Sequence, residues 1–215
     1  MKSSAIIASI GAASAKWYLG SCPMVNYMES LDMERYAGHW FEVYRDEQNW
    51  YTQYADCVTK EFELNQSGNL DLNFRGFYNW YGWGGYSYVE GEISDCGSSS
   101  GLLKNSTCMA TIRSSKKFRF DMLATDYDNY DITYFCTDFY GFFHADNLSI
   151  TSRTQEMSDE VQQEVRAVIA EKLPHYNLDD GMYWTKQGDD RCQYYWMDEQ
   201  EPEEPARPYH LTPWG

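Results

Sequence analysis

Four histidines, six cysteines and an abundance of aromatic rings are the groups in this chain that could do chemistry, and their spacing points away from covalent catalysis. His39, His144, His175 and His210 are scattered, with no His-Glu-X-X-His helix and no pairing suited to zinc, so each reads as a surface or loop histidine. No Gly-X-Ser-X-Gly elbow, phosphate-binding glycine loop or dinucleotide fingerprint occurs. The expectation is a non-enzyme with no catalytic residue, no cofactor and no metal. Cys22, Cys57, Cys96, Cys108, Cys136 and Cys192 are even in number and lack any Cys-X2-Cys spacing, which makes disulfides their simplest use.

An oxidising compartment agrees with the first residues. Lys2 supplies a positive start, Ala5 to Ala13 a short apolar core and Ala13-Ser14-Ala15 a small-residue cleavage site. Residues 1–15 are therefore expected to be a secretory signal, and the protein is expected to be extracellular. That apolar run is far too short to cross a bilayer, so no transmembrane segment is expected. Sequons at Asn65, Asn105 and Asn147 stand among turn-forming residues, where a glycan could reach solvent.

Composition narrows the partners. Among 215 residues, 17 basic and 33 acidic side chains leave a formal charge of −16, which repels nucleic acid and anionic lipid. Hydrophobic residues at 43% are enough for one core, and 19 Tyr, 10 Phe and 8 Trp suit sheets better than helices. From Trp40 to Arg153 short apolar and polar residues alternate with turn chemistry between them. Leu70, Leu72 and Phe74 alternate with Asp71, Asn73 and Arg75; Phe118, Phe120 and Met122 with Arg119 and Asp121; Tyr130, Ile132 and Tyr134 with Asp131 and Thr133. Val161, Val165, Val168, Ile169 and Leu173 then recur at helical spacing behind the N-cap residue Ser158 and ahead of Pro174, predicting one helix over about 158–173. The acidic, proline-rich stretch 193–215 is expected to stay disordered after a single domain over 16–192. Eight strands and a trailing helix suggest an all-β, eight-stranded antiparallel up-and-down barrel with the helix packed outside.

Three motifs sharpen that picture. Gly38-His39-Trp40 lies at the start of the first long strand, Thr125-Asp126-Tyr127 precedes the strand containing Cys136, and Arg153 closes the strand before the helix. In this order they resemble the three signatures of the lipocalin family, and within it the group of apolipoprotein D, bilin-binding protein and insecticyanin. The resemblance covers roughly Cys22 to Cys192. It implies that a meander brings the three signatures to one end, closed by Trp40 with the Arg153 guanidinium across its indole. It also implies bridges from Cys22 to Cys136 and from Cys57 to Cys192, leaving Cys96 and Cys108 to each other.

A barrel of this size can hold one small ligand. Counting alternation from Trp40 places Glu42 and Tyr44 inward, with Leu70, Leu72, Phe74, Phe118, Phe120, Met122 and Tyr134 as further lining. Such a cavity suits a mostly apolar molecule with a polar minority: a fatty acid, sterol, retinoid, carotenoid or bilin, carried without chemical change. Glu42 either holds a polar group of the ligand or makes a structural hydrogen bond to a neighbouring tyrosine. At the opposite end Trp50, Tyr51 and Tyr54 face Trp80, Tyr81, Trp83 and Tyr86 as an aromatic lid over the ligand. Alternatively these rings pack on one another, or form a patch for a protein, lipoprotein or membrane. Two other classes of function stay open: a filled barrel that docks a partner through this mouth, and a lipid- or pigment-modifying enzyme, which would need a free thiol.

Overall fold

Segments with alternating polarity become strands, and turn-rich stretches separate them. The computed structural model describes residues 17–46, 54–80, 83–97, 107–112, 116–180, 182–188, 190 and 192–194. In chain order the elements are β1 (Trp17–Leu19), α1 (Met33–Tyr36), β2 (Gly38–Asp46), β3 (Ala55–Leu64), β4 (Leu70–Trp80), β5 (Trp83–Ser94) and β6 (Cys108–Ile112). They continue with β7 (Lys116–Phe120), β8 (Met122–Thr125), β9 (Tyr130–Phe139), β10 (Phe143–Ser152), α2 (Asp159–Lys172) and β11 (Met182–Trp184). The sheet runs β7-β6-β5-β4-β3-β2-β10-β9-β8, with β1 beside β10 and β11 beside β2. Only Asp121 separates β7 from β8, so they act as one broken stave that nearly closes an eight-stave antiparallel barrel.

Two clusters hold it together. Tyr36, Trp40, Phe62, Leu70, Ile93, Ala110 and Met122 fill one end from inside. The other cluster lies outside the barrel wall, where Val165 and Ile169 of α2 and its C-cap residue Leu173 cover Tyr44, Ile132, Tyr134, Leu148 and Ile150. Helix α2 sits where its periodicity predicted. Ser158 Oγ accepts from Val161 N at 3.4 Å, Asp159 and Glu160 occupy the positive end, and Lys172 Nζ donates to the Leu123 carbonyl at 3.0 Å. The short helix α1, capped by Asp32, was not foreseen.

Bridges join Cys22 to Cys136, Cys57 to Cys192 and Cys96 to Cys108, the pairing the resemblance implied. Strand β2 pairs with β3 only from Gly38 to Phe41; farther along, β11 pairs with Tyr44, Arg45 and Asp46 instead. The chain after β11 fills the gap, with Gln187 Nε2 donating to the carbonyls of Glu42 at 2.9 Å and Val58 at 2.8 Å.

One sequon expectation fails. Asn147 is not in a turn but in the middle of β10, 8% exposed, so the folded barrel has no room for a glycan there. Asn65 does occupy a turn, its Oδ1 accepting from Ser67 N and Asn69 N, whereas Asn105 lies outside the described residues. The proposed signal and most of the tail, 1–15 and 195–215, lie outside them too.

Candidate functional site

The antiparallel meander puts the turns after β3, β5 and β8 and the end of β10 at one rim. There the Arg153 guanidinium carbon stands 3.7 Å from the centre of the Trp40 ring. Its nitrogens donate to the carbonyls of Tyr127 at 3.0 Å, His39 at 3.2 Å and Arg35 at 2.9 Å. Gly38 makes this approach possible: its φ is +102°, and a Cβ there would lie 3.1 Å from Arg153 Nη1. Trp40 Nε1 donates to the Tyr36 carbonyl at 2.9 Å, and the two rings stack at 5.1 Å. A second cation-π pair, Arg35 over Tyr127 at 4.3 Å, closes the outer layer. The three signature segments thus meet, and this end of the barrel is sealed.

Above the seal the inner face has two unlike walls. On β4, β5 and β7, Leu72, Phe74, Val89, Phe118 and Phe120 follow the fully buried Leu70 and Ile93, and they are only half-buried. They are partly exposed on the inward face, away from the base. The wall of β2, β9 and β10 is polar: Glu42, Arg45, Ser149, Thr151 and Asp131 are all inward and buried. Arg45 Nη1 donates to Glu42 Oε1 at 2.6 Å and to Thr185 Oγ1 at 2.7 Å, while Nη2 reaches the Ala55 carbonyl at 2.6 Å. Glu42 Oε2 accepts from Ser149 Oγ at 3.3 Å. Asp131 takes the hydroxyls of Tyr36 and Thr151 on one oxygen, and its other oxygen has no partner among the described residues. Burial pushes the Tyr78 hydroxyl up to about 12, the Glu42 carboxylate adding to the rise and Arg45 opposing it.

The structure therefore places Trp40, Glu42, Leu70, Leu72, Phe74, Phe118, Phe120 and Met122 inside, with Trp40, Leu70 and Met122 buried in the base. Tyr44 and Tyr134 are corrections. Tyr44 pairs with Ile150 while Glu42 pairs with Thr151, leaving Val43 as an extra residue; this bulge turns Tyr44 outward, where its hydroxyl donates to the Leu178 carbonyl at 2.6 Å. Tyr134 belongs to the apolar face of β9, and that face lies outside because α2 covers it. Glu42 is held by an arginine rather than a tyrosine. Arg45 and Tyr78 were missed, because a charged residue behind an unforeseen bulge and a ring near a loop carry no inward signal in sequence. His144, expected at the surface, is 5% exposed and shares Asp146 with His175.

Of the aromatic residues expected at the mouth, Trp50, Tyr51 and Tyr81 lie outside the described residues, as do the side chains of Trp80 and Trp83. Strands β4 and β5 stay paired as far as Trp80, directly opposite Trp83. Tyr54 is 69% exposed. Tyr86 is no part of a lid: it faces outward, meets Phe77 edge-on at 5.3 Å, and its hydroxyl accepts from Gln193 N at 2.5 Å.

Comparison with known proteins fits this geometry. Apolipoprotein D of Rattus norvegicus is 26% identical over 149 residues, covering 67% of this chain and 72% of the relative. Bilin-binding protein of Pieris brassicae is 27% identical over 165 residues, covering 74% and 82%. Insecticyanin from the tobacco hornworm Manduca sexta superposes with a TM-score of 0.65 at 20% identity, over 83% of this chain and 92% of that one. Residues 37–180 match the lipocalin / cytosolic fatty-acid binding protein family, and with its Gly38-His39-Trp40 strand, Thr125-Asp126-Tyr127 turn and Arg153 converging on one sealed base, the chain belongs to that family.

Proposed function

We propose that the protein is a secreted carrier that holds a small amphipathic molecule in its barrel without changing it chemically. One observation carries this reading: above a sealed base, a half-open apolar wall of Leu72, Phe74, Val89 and Phe118 faces a buried polar wall centred on the Glu42–Arg45 pair. A ligand with a flat apolar body and one polar edge matches both walls at once; a purely hydrocarbon ligand would leave the polar wall without a partner. The bilin named in the Pieris brassicae relative has that character, as do retinoids and fatty acids. All six cysteines are in disulfides, which removes the nucleophile that a thiol-dependent isomerase would need.

The test is quenching of intrinsic fluorescence by a tetrapyrrole, a retinoid, a fatty acid and a saturated hydrocarbon of equal area. Saturation at one equivalent is expected for a polar-edged ligand, with a weaker response to the hydrocarbon and roughly fivefold weaker binding in Phe74→Ala, for about 1 kcal/mol of lost apolar contact. Failure of every ligand to saturate overturns the carrier.

That failure would favour docking by the rim. Leu19, Tyr140 and Phe142 are 94%, 95% and 74% exposed at the β1 and β9–β10 end, an apolar knob suited to a protein or lipoprotein partner.

A further inference from the structure

Strand β3 lies between β2, which belongs to the polar wall, and β4, which belongs to the apolar one, and it sends a lysine inward. Lys60 pairs with Trp40 on one side and with Phe74 on the other, and Phe74 pairs in turn with Val89. Residues directly opposite on paired strands face the same way. Phe62, two residues on in an unbroken register, is buried in the base cluster with Trp40, so Lys60 shares its inward face. The neighbours Thr59 and Glu61 face outward yet are buried, because the segment after β11 covers that side. Cys192 of that segment is bridged to Cys57, and Tyr194 meets Phe41, the partner of Thr59, edge-on at 5.3 Å.

The other inward charges are already engaged. Glu42 Oε1 accepts from Arg45 Nη1 at 2.6 Å and from Thr185 Oγ1 at 3.1 Å, and Oε2 accepts from Ser149 Oγ at 3.3 Å, so the ion pair is neutral and internally bonded. Asp131 takes the hydroxyls of Tyr36 and Thr151. Burial pushes the Arg153 guanidinium down, and the Asp131 charge is among those that oppose the push, which ties this carboxylate to the cation of the base. Lys60 differs: it is half-buried in a row with an indole, a phenyl ring and a valine, and it has no hydrogen-bond or ion-pair partner among the described residues. An ammonium flanked by apolar side chains is poorly solvated, and an opposite charge brought by a ligand offsets that cost. The formal charge of −16 makes the chain as a whole repel anions, so the inner face needs a local cation to hold one, and Lys60 supplies it.

We propose that the molecule held in the barrel is an acid, and that Lys60 binds its carboxylate where the two walls meet, beside Trp40. The inference rests on the carrier reading and narrows it: the acid end lies toward the base and the apolar body along Phe74 and Val89. One ammonium matches a carboxylate better than a phosphate, whose charge approaches two and whose three oxygens call for further donors.

Tryptophan quenching of the full chain compares biliverdin with its dimethyl ester and retinoic acid with retinol, pairs that share one body and differ in the acid. In the parent the acid of at least one pair should bind roughly tenfold more tightly than its neutral counterpart. Lys60→Met should bring that ratio to near unity while the neutral ligand keeps its affinity, and Lys60→Arg should retain most of the preference. Near-UV circular dichroism checks folding, and Lys60→Gln is read in the same way if the methionine variant fails to fold. A lysine that only laid its stem along the wall would not distinguish acid from neutral ligand. Equal binding of the two forms in the parent, or a preference unchanged in Lys60→Met, overturns the proposal and leaves the carrier standing; saturation by none of the four ligands overturns both.

Discussion

Replacing Arg153 by methionine tests the sealed base, and the structure sets the size of the effect. The guanidinium lies 3.7 Å over Trp40, a contact in the range of about 1 kcal/mol. It also satisfies the part-buried carbonyls of His39 and Tyr127, which would lose their donor; the exposed Arg35 carbonyl turns to water, and the Tyr36 carbonyl keeps Trp40 Nε1. At about 1 kcal/mol for each lost bond, the expected destabilisation is about 3 kcal/mol. For a chain of this size that lowers the melting temperature by roughly 6–12 °C. Arg153→Lys keeps a charge beside the indole, but its single ammonium cannot span the same carbonyls, so it should recover only part of the loss. Thermal unfolding followed by circular dichroism and tryptophan emission measures both. If the methionine variant melts within 1 °C of the parent, or lysine restores it fully, the base is not held as described.

Breaking the buried pair with Glu42→Leu should cost about 3–5 kcal/mol in urea unfolding, while Glu42→Leu combined with Arg45→Met recovers most of it; simple additivity would refute the pairing. Ile169→Ala should cost about 2–5 kcal/mol because Ile169 is 1% exposed beneath α2, and Glu171→Ala less than about 0.5; equal costs would show that the helix does not seal the outer wall. At Asp126 burial works against the charged form, but donations from the N–H groups of Tyr130, Asn129 and Asp128 and from the Asn129 side chain outweigh it and hold the carboxyl below its usual range. Its stabilisation is therefore complete above about pH 4 and is lost as pH falls through the native pKa. The melting-temperature gap between the parent and Asp126→Ala should shrink between pH 7 and pH 3, and a constant gap would contradict this.

Much of the closed end was legible because its parts are local motifs: a glycine two residues before a tryptophan, a Thr-Asp-Tyr turn, and an arginine at a strand end. The helix was legible from its periodicity and its cap. Which face of a strand lies inside was not. Tyr130, Ile132 and Tyr134 show the alternation plainly, yet an apolar face can serve either the cavity or a covering helix, and here α2 takes it. Counting outward from Trp40 worked until Val43, where one extra residue reversed the direction of Tyr44. Asn147 misled in the same way, because a sequon does not reveal that its asparagine faces inward from a strand. The cluster of His144, Asp146 and His175 was hidden by distance along the chain: it exists only once the segment after α2 folds back on β10.

The proposed carrier role requires the barrel to be a cup whose polar and apolar walls hold a single amphipathic molecule. Protein purified from its natural source and extracted with organic solvent, with the extract weighed against protein by mass spectrometry, tests it most directly. A flat, mostly apolar compound with one polar edge, at close to one equivalent per chain, is the predicted result. An extract empty of any such compound, from protein whose folding is confirmed by its near-UV spectrum, would contradict the carrier and turn attention to the exposed rim.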